Sequence, residues 1–146
     1  MLRCSALPLL AMSSALAAAP VPEELKRKGL EGTWKLVAVN DAGKPLAVTS
    51  GQHWTIDAAG RLTSHYGDPL AGDKSIIRLV VDPRMKTLEY EITDGRDITY
   101  PGRYVTDGDA LEICCNYNGG SRPTAVESGR DLYLWTLKRV KVEAKK

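Results

Sequence analysis

The stretch Leu30-Glu31-Gly32-Thr33-Trp34-Lys35-Leu36-Val37 decides the fold that this sequence predicts. Trp34 and Leu36 alternate with polar residues, which is the period of a β-strand that buries one face. Gly32 stands two positions before the tryptophan, where the absence of a side chain allows a close turn of the backbone. The segment therefore predicts the first strand of a barrel, with the indole of Trp34 filling one end.

The same two-residue alternation continues along the chain and is interrupted at short intervals by Asp, Asn, Gly and Pro. Strands are predicted at 32–40, 52–57, 61–66, 75–82, 87–93, 98–106, 109–115, 124–127 and 131–140. Eight or nine short antiparallel strands in one domain form either a barrel or a sandwich. Helical periodicity occurs only before the first strand, so the chain is predicted to be all-β.

The last strand favours the barrel over the sandwich. Its inward face carries, at alternate positions, Tyr133, Trp135, Leu137 and Arg139. Arg139 is expected to lie over the ring of Trp34 in a cation–π contact, which would make the first and last strands neighbours; the alternative is an ordinary surface arginine. The predicted fold class is a small antiparallel up-and-down barrel of the lipocalin or calycin type, with about eight or nine strands and a short N-terminal helical turn.

Residues 1–19 carry the features of a secretory signal peptide. Arg3 supplies a positive charge, residues 6–12 form a short apolar core, and Ala15-Leu16-Ala17 is a small-x-small cleavage motif. The apolar core is far shorter than the roughly 20 residues that a membrane-spanning helix needs, and no transmembrane segment is expected in the mature chain. We therefore expect an exported protein, either periplasmic or secreted.

The mature chain is expected to form one domain. Residues 20–29 are predicted as a linker and short helix, because Pro and acidic residues come first, basic residues follow and Gly29 ends the segment. Residues 30–142 are predicted as the barrel, and residues 143–146 as a basic tail. The whole sequence has 20 basic and 18 acidic residues and a net charge of +2, a balance that does not favour nucleic acid as a partner.

Seven motifs follow one another along the chain: the opening stretch, Gly43-Lys44-Pro45, Asp82-Pro83, Gly102-Arg103-Tyr104, the run from Gly108 to Cys114, Arg122-Pro123-Thr124 and Leu137-Lys138-Arg139. In their order and spacing, the segment from Leu30 to about Lys141 resembles a family of small uncharacterised exported domains of planctomycete bacteria, which are lipocalin-like. Two positions depart from that pattern: Cys115 follows Cys114 where one Cys is expected, and Ala125-Val126 replace the usual Glu-Phe. The resemblance implies the barrel fold, and it implies no established reaction or ligand.

Cys114 and Cys115 are the cysteines of the predicted mature chain. A two-residue turn at Asp107-Gly108 is predicted to pair Tyr104 with Leu111, a register that directs Cys115 inward and Cys114 outward. A disulfide between adjacent residues is disfavoured by its geometry. The two interpretations are one buried and one semi-exposed thiol, or a vicinal disulfide that acts as a redox-sensitive clip.

His53 and His65 are the two histidines of the chain. The segment Asp57-Ala58-Ala59-Gly60 fits a type I turn followed by Gly in the left-handed region, and this three-residue loop pairs His53 with His65 on the outer face. A tighter two-residue loop would place them on opposite faces. Two cross-strand imidazoles can bind a transition metal. Because no third ligand is evident, a solvated pair is favoured and no metal site is predicted.

Residues 116–124 form a polar loop that is predicted to lie at the barrel mouth. Arg122 is the best candidate there for binding the carboxylate or phosphate of a ligand. Further candidates for ligand contact are Tyr117, Tyr104 and Trp54. The alternative for Arg122 is a structural role, in which it binds loop carbonyls or an acid such as Asp97 or Asp131.

The sequence contains no nucleophile motif, phosphate-binding loop or metal-cage spacing, so we expect neither an enzyme nor a bound cofactor. The first interpretation is an exported, non-catalytic binding domain that holds a small or apolar ligand at the barrel mouth. The alternative is a protein–protein interaction module of the cell envelope with a side-chain-filled barrel. A wide, empty interior would favour the first, and a filled interior would favour the second. The side chains that would fill it are Trp34, Trp54, Tyr90, Tyr104 and Trp135.

Overall fold

The computed structural model of the chain describes residues 29–65, 77–93, 95 and 97–141. Nine strands occur in this part of the chain. They are β1 (Gly32–Asp41), β2 (Lys44–Leu46), β3 (His53–Ile56), β4 (Arg61–His65), β5 (Ile77–Asp82), β6 (Thr87–Ile92), β7 (Ile98–Asp107), β8 (Ala110–Asn116) and β9 (Leu132–Arg139). The predicted leader, basic tail and, apart from its last residue, the predicted linker and helical turn lie outside the described residues. Within them, no helix has the length and apolar character needed to cross a bilayer.

The strands form a closed antiparallel barrel. Each strand from β3 to β8 pairs with the next one along the chain, and β1 closes the circle by pairing with both β3 and β9. β2 is an additional strand that pairs with the last residues of β1. Eight strands therefore form the barrel, and the predicted all-β, up-and-down architecture is confirmed.

The two ends of the barrel differ. The floor is the end at which β1 begins and β9 ends, and it also carries the tight hairpins that follow β3, β5 and β7. The mouth is the opposite end, where the β1–β2 hairpin lies and where residues 117–131 leave β8. The wall is uneven, because β5 pairs with β6 at six positions but, among the described residues, β4 pairs with β5 at two.

The structure corrects two of the predicted strands. β2 was not predicted, and it forms because Ala42 and Gly43 both adopt a positive φ, 49° and 81°. Two such residues make a type I′ turn, which returns the chain along β1. Residues 124–127, by contrast, are not a strand. They belong to the long connection between β8 and β9, which has no strand partner among the described residues.

The hairpin between β7 and β8 is displaced by two residues from the predicted register. Asp107 pairs with Ala110, so the turn residues are Gly108 and Asp109 rather than Asp107 and Gly108. Gly108 has a φ of +57° as the first turn residue, which is the glycine position of a type II′ turn. Tyr104 consequently lies opposite Ile113 instead of Leu111. A shift of two residues leaves every side chain on the predicted face.

The barrel interior is filled by aromatic and aliphatic side chains. Trp34, Trp54, Tyr90 and Trp135 have no exposed surface, and Tyr104 is 3% exposed. The ring of Trp135 stacks on that of Tyr90 at 5.5 Å between centroids and meets that of Trp54 at the same distance. These rings pack with inward aliphatic residues from all eight barrel strands into one core. The described interior therefore corresponds to the filled alternative.

The floor is closed by Arg139. Its guanidinium lies 4.1 Å from the ring centroid of Trp34 and donates hydrogen bonds of 2.7 Å to the carbonyls of Glu31 and Gly29. The indole N–H of Trp34 donates to the carbonyl of Leu30 at 2.8 Å. The predicted cation–π contact is therefore present, and three successive carbonyls are bound by the two side chains that meet there.

Gly32 is required by this arrangement. Its φ of +125° lies in a region that L-residues rarely adopt, and a Cβ atom would lie 2.8 Å from the Nη1 atom of Arg139. Gly43 also has a positive φ, +81°, but a Cβ atom there would meet nothing within 4 Å. A side chain at Gly43 would therefore strain only the backbone, whereas one at Gly32 would also clash with the guanidinium of Arg139.

We predict that Trp34→Ala lowers the free energy of unfolding by about 3–5 kcal/mol, as for other core aromatic deletions. Arg139→Ala should lower it by about 2 kcal/mol, because a cation–π contact and two charged hydrogen bonds are lost. In a double-mutant cycle measured by urea unfolding, the two changes should be coupled by about 1 kcal/mol. Strict additivity of the two losses would contradict the direct contact.

We also predict that Gly32→Ala destabilises the fold more than Gly43→Ala. The second change should cost about 1–2 kcal/mol for the left-handed backbone alone, whereas the first must also displace Arg139. Removing the guanidinium in an Arg139→Ala background should reduce the cost of Gly32→Ala. Thermal unfolding of the four variants measures this, and an equal cost of Gly32→Ala in both backgrounds would contradict it.

Candidate functional site

The four residues predicted to contact a ligand are not brought together. Trp54 is buried in the interior, and Tyr104 lies in the floor half of the barrel, where its ring is 5.4 Å from the Nζ atom of Lys86 in the β5–β6 hairpin. Tyr117 lies at the opposite end, directly after β8. Arg122 lies on the outside of the wall, against β6 and β7. The single mouth site that these residues were predicted to form is therefore absent.

The guanidinium of Arg122 is engaged within the fold. It forms an ion pair with the carboxylate of Glu89 and donates to the carbonyls of Gly102 at 3.4 Å and Leu88 at 3.5 Å. The structural alternative is therefore the one observed, although the acid is neither Asp97 nor Asp131. The loop folds back along the outer wall instead of standing at the rim, so the Arg122 guanidinium does not lie at the mouth.

Residues 117–131, which we name the outer strap, cover the outside of β7 and β8. Arg103 on β7 donates from Nε to the carbonyl of Pro123 at 2.6 Å, and Pro123 is buried. On β8, the thiol of Cys114 donates to the carbonyl of Glu127 at 3.3 Å. Together with the Arg122 contacts, these bonds join the strap to three strands. The strap is thus attached to the outer wall of the barrel.

The strap buries the outward-facing cysteine of the pair Cys114 and Cys115. Cys115 points inward as predicted and belongs to the core. Cys114 points outward, yet it also has no exposed surface, so the prediction of a semi-exposed thiol is wrong. Both thiols are free. Burial raises the pKa of the Cys114 thiol, which lowers the fraction of reactive thiolate at neutral pH.

Tyr117 connects the strap to the mouth end of the barrel. Its ring meets that of Tyr133 edge to face at 5.4 Å. The carboxylate of Asp41 at the end of β1 accepts a hydrogen bond from the Tyr117 hydroxyl and thereby raises the pKa of the tyrosine. Tyr117 is therefore held by neighbours on β1 and β9, and it contributes to closing the mouth.

The two histidines lie side by side on the outer face. His53 pairs with His65 across β3 and β4, in the predicted register. Their rings stack with centroids 4.2 Å apart and an interplanar angle of 13°. The Nδ1 atom of His53 lies 2.7 Å from the carbonyl oxygen of Gly51. In the described part of the chain, no group of three or more His, Cys, Asp or Glu side chains is arranged to hold a metal.

The interior contains two buried polar atoms, one on Trp54, a predicted candidate for ligand contact, and one on Trp135, which was not such a candidate. The indole nitrogens of Trp54 and Trp135 are buried and have no acceptor among the described residues. A buried donor without an acceptor costs about 1–3 kcal/mol, so each marks a position suited to an acceptor atom. Trp135 was predicted only as a core residue. Its place on the inward face of the last strand was the one feature of the sequence that could have indicated a buried indole N–H without an acceptor.

We predict that Arg122→Ala speeds the alkylation of Cys114 under native conditions. Loss of the charged hydrogen bonds should weaken strap closure by about 1.5 kcal/mol, which raises the open population roughly tenfold. Iodoacetamide labelling followed by peptide mass spectrometry measures the rate at each cysteine. Arg122→Lys should give a smaller increase, because a point charge cannot replace the planar fork.

Arg84→Ala provides the matched control for this experiment. Arg84 is an exposed arginine whose ion pair is with Asp82 within the β5–β6 turn, and not with a residue of the strap. Its removal should leave Cys114 labelling unchanged, and Cys115 should stay unreactive in every variant. Equal acceleration by Arg84→Ala would show that general destabilisation, and not strap opening, exposes the thiol.

The strand order assigns the described part of the chain to a closed antiparallel barrel of eight strands with one additional strand. The resemblance to small planctomycete domains stays a prediction. Comparisons with protein-family models, with curated proteins and with solved structures find no match to the chain.

Proposed function

We propose that this chain is an exported, non-catalytic binding domain of the cell envelope, and that its partner is a protein bound on the outside of the barrel. The observation that carries the proposal is the filled interior. Pockets for small ligands usually need about 300 Å³ or more of enclosed space. Here the rings of Trp54, Tyr90 and Trp135 occupy the middle of the barrel in mutual contact.

The predicted mouth site gives little support to the competing interpretation of a small ligand at the rim. Its best polar candidate, Arg122, uses its guanidinium on Glu89 and two wall carbonyls. Tyr117 is occupied with Asp41 and Tyr133. Because both side chains are bound to residues of the same domain, we place the binding surface elsewhere on the outside of the barrel.

The β1–β2 hairpin is the surface best suited to a protein partner. β2 is the terminal strand of the sheet order, so its far edge has no neighbouring strand in the described residues. Such an edge can accept an extended segment of another protein as an added strand. Pro45 supplies no N–H to this edge, so side chains must contribute to binding. Leu46 is 39% exposed, and Val37 on β1 is 53% exposed.

A second candidate function is the binding of a small molecule with hydrogen-bond acceptors inside the barrel. It is favoured by the indole N–H groups of Trp54 and Trp135, which are buried without acceptors among the described residues. This candidate requires the interior to rearrange around the ligand. It shares no residue with the β1–β2 surface, so one experiment distinguishes the two.

We predict that Leu46→Asp weakens partner retention on the order of tenfold, because a charge placed in an apolar contact is unfavourable. The full chain would be isolated from its own cell envelope after mild cross-linking, and its complexes would be weighed by native mass spectrometry. Met85→Asp is the matched control, since Met85 is 62% exposed on the β5–β6 hairpin at the floor. That variant should retain the partner.

Two results would overturn the proposal. Equal loss with both aspartate variants would show that the β1–β2 hairpin is not the contact surface. A small-molecule adduct retained by all forms, with no protein partner, would favour the interior site instead. Trp54→Phe, which removes the indole donor and keeps an aromatic ring, should then release the adduct.

A further inference from the structure

We propose that His53 and His65 form a two-imidazole site for a divalent transition-metal ion on the outer face of β3 and β4. The class of ion is the one that imidazole prefers, with Cu²⁺ bound more tightly than Zn²⁺. The site is independent of the protein partner proposed above, because it lies on other strands than the β1–β2 hairpin.

The backbone places both imidazoles on one face. His53 and His65 are directly paired across the two strands, so both side chains leave the sheet in the same direction. The ring centroids are 4.2 Å apart and the planes differ by 13°. Two nitrogens on one tetrahedral Zn²⁺ lie about 3.3 Å apart, given bond lengths of about 2.0–2.1 Å. Rotation of the His65 side chain, which Gly51 does not hold, would bring its nitrogen to this distance from that of His53.

The first of the two ligands is already oriented. The Nδ1 atom of His53 lies 2.7 Å from the carbonyl oxygen of Gly51. A carbonyl can only accept, so Nδ1 carries the proton, and the lone pair is on Nε2. Metal-binding histidines are commonly held in this way, by a carbonyl on the nitrogen that does not bind the metal. The carbonyl therefore fixes both the ring plane and the tautomer that a metal requires.

The tight turn below the pair holds the two strands in register. The Asp57 carboxylate accepts hydrogen bonds of 2.9 Å from the backbone N–H groups of Ala59 and Arg61, and Gly60 adopts a φ of +77°. No further side-chain ligand joins the pair among the described residues. Water would hold the remaining coordination positions, which leaves them open to exchange.

The experiment is a calorimetric titration of the tag-free full chain with ZnCl₂ and with CuCl₂, in a buffer that does not bind metals. One ion per chain should bind saturably, and each ion should raise the thermal midpoint of unfolding. His53→Ala or His65→Ala should weaken binding at least tenfold. Because the chain has two histidines, the double variant lacks imidazole entirely and should show no saturable binding.

Thr63→Ala is the matched control, as an exposed residue on the outer face of the same strand as His65. It should bind the metal as the wild type does, and the thermal midpoints of all metal-free variants should agree closely. Saturable binding that persists in the double variant would overturn the site. So would a stoichiometry of one ion per two chains, or an absence of saturable binding by the wild type.

Discussion

Closure of the barrel depends on the contact between the guanidinium of Arg139 and the ring of Trp34. The last strand and the first meet there, and the same guanidinium binds the carbonyls that precede β1. A cation inside a floor would be unfavourable without such partners, because its charge has been partly removed from water. The aromatic face and the two carbonyls replace that water. This contact requires glycine at position 32, because any side chain there would occupy the space of the guanidinium.

Two further arginines bind carbonyls on the outside of the barrel. Arg103 and Arg122 attach the strap to the wall through carbonyls and Glu89. The strap then excludes water from Cys114, so a residue on the outer face becomes as buried as one in the core. The barrel thus has two layers that exclude water, the aromatic interior and a thin layer beneath the strap.

Local interactions made much of this fold predictable from sequence. The Asp57–Gly60 turn was correctly placed because an Asp side chain and a left-handed Gly select one loop type, and the histidine register followed. The β7–β8 turn was misplaced by one residue, which shifted the pairing register by two, because Gly108 suits either turn position. The strap could not be foreseen, since Arg122 and Glu89 are 33 residues apart in sequence. Sequence separation likewise hid the burial of Cys114, whose strap partner Glu127 follows it by 13 residues.

The short pairing of β4 with β5 has a consequence for the motions of the barrel. Two residue pairs join these strands in the described part of the chain, whereas their outer neighbours are joined by four and six. Local opening of a protein begins where the fewest backbone hydrogen bonds must break. The amides of Leu62 and Ile77 should accordingly exchange with solvent through a smaller fluctuation than those of β8, which is flanked by two long partners. From the described residues, we therefore expect the barrel to open first along the β4–β5 side, with its floor intact.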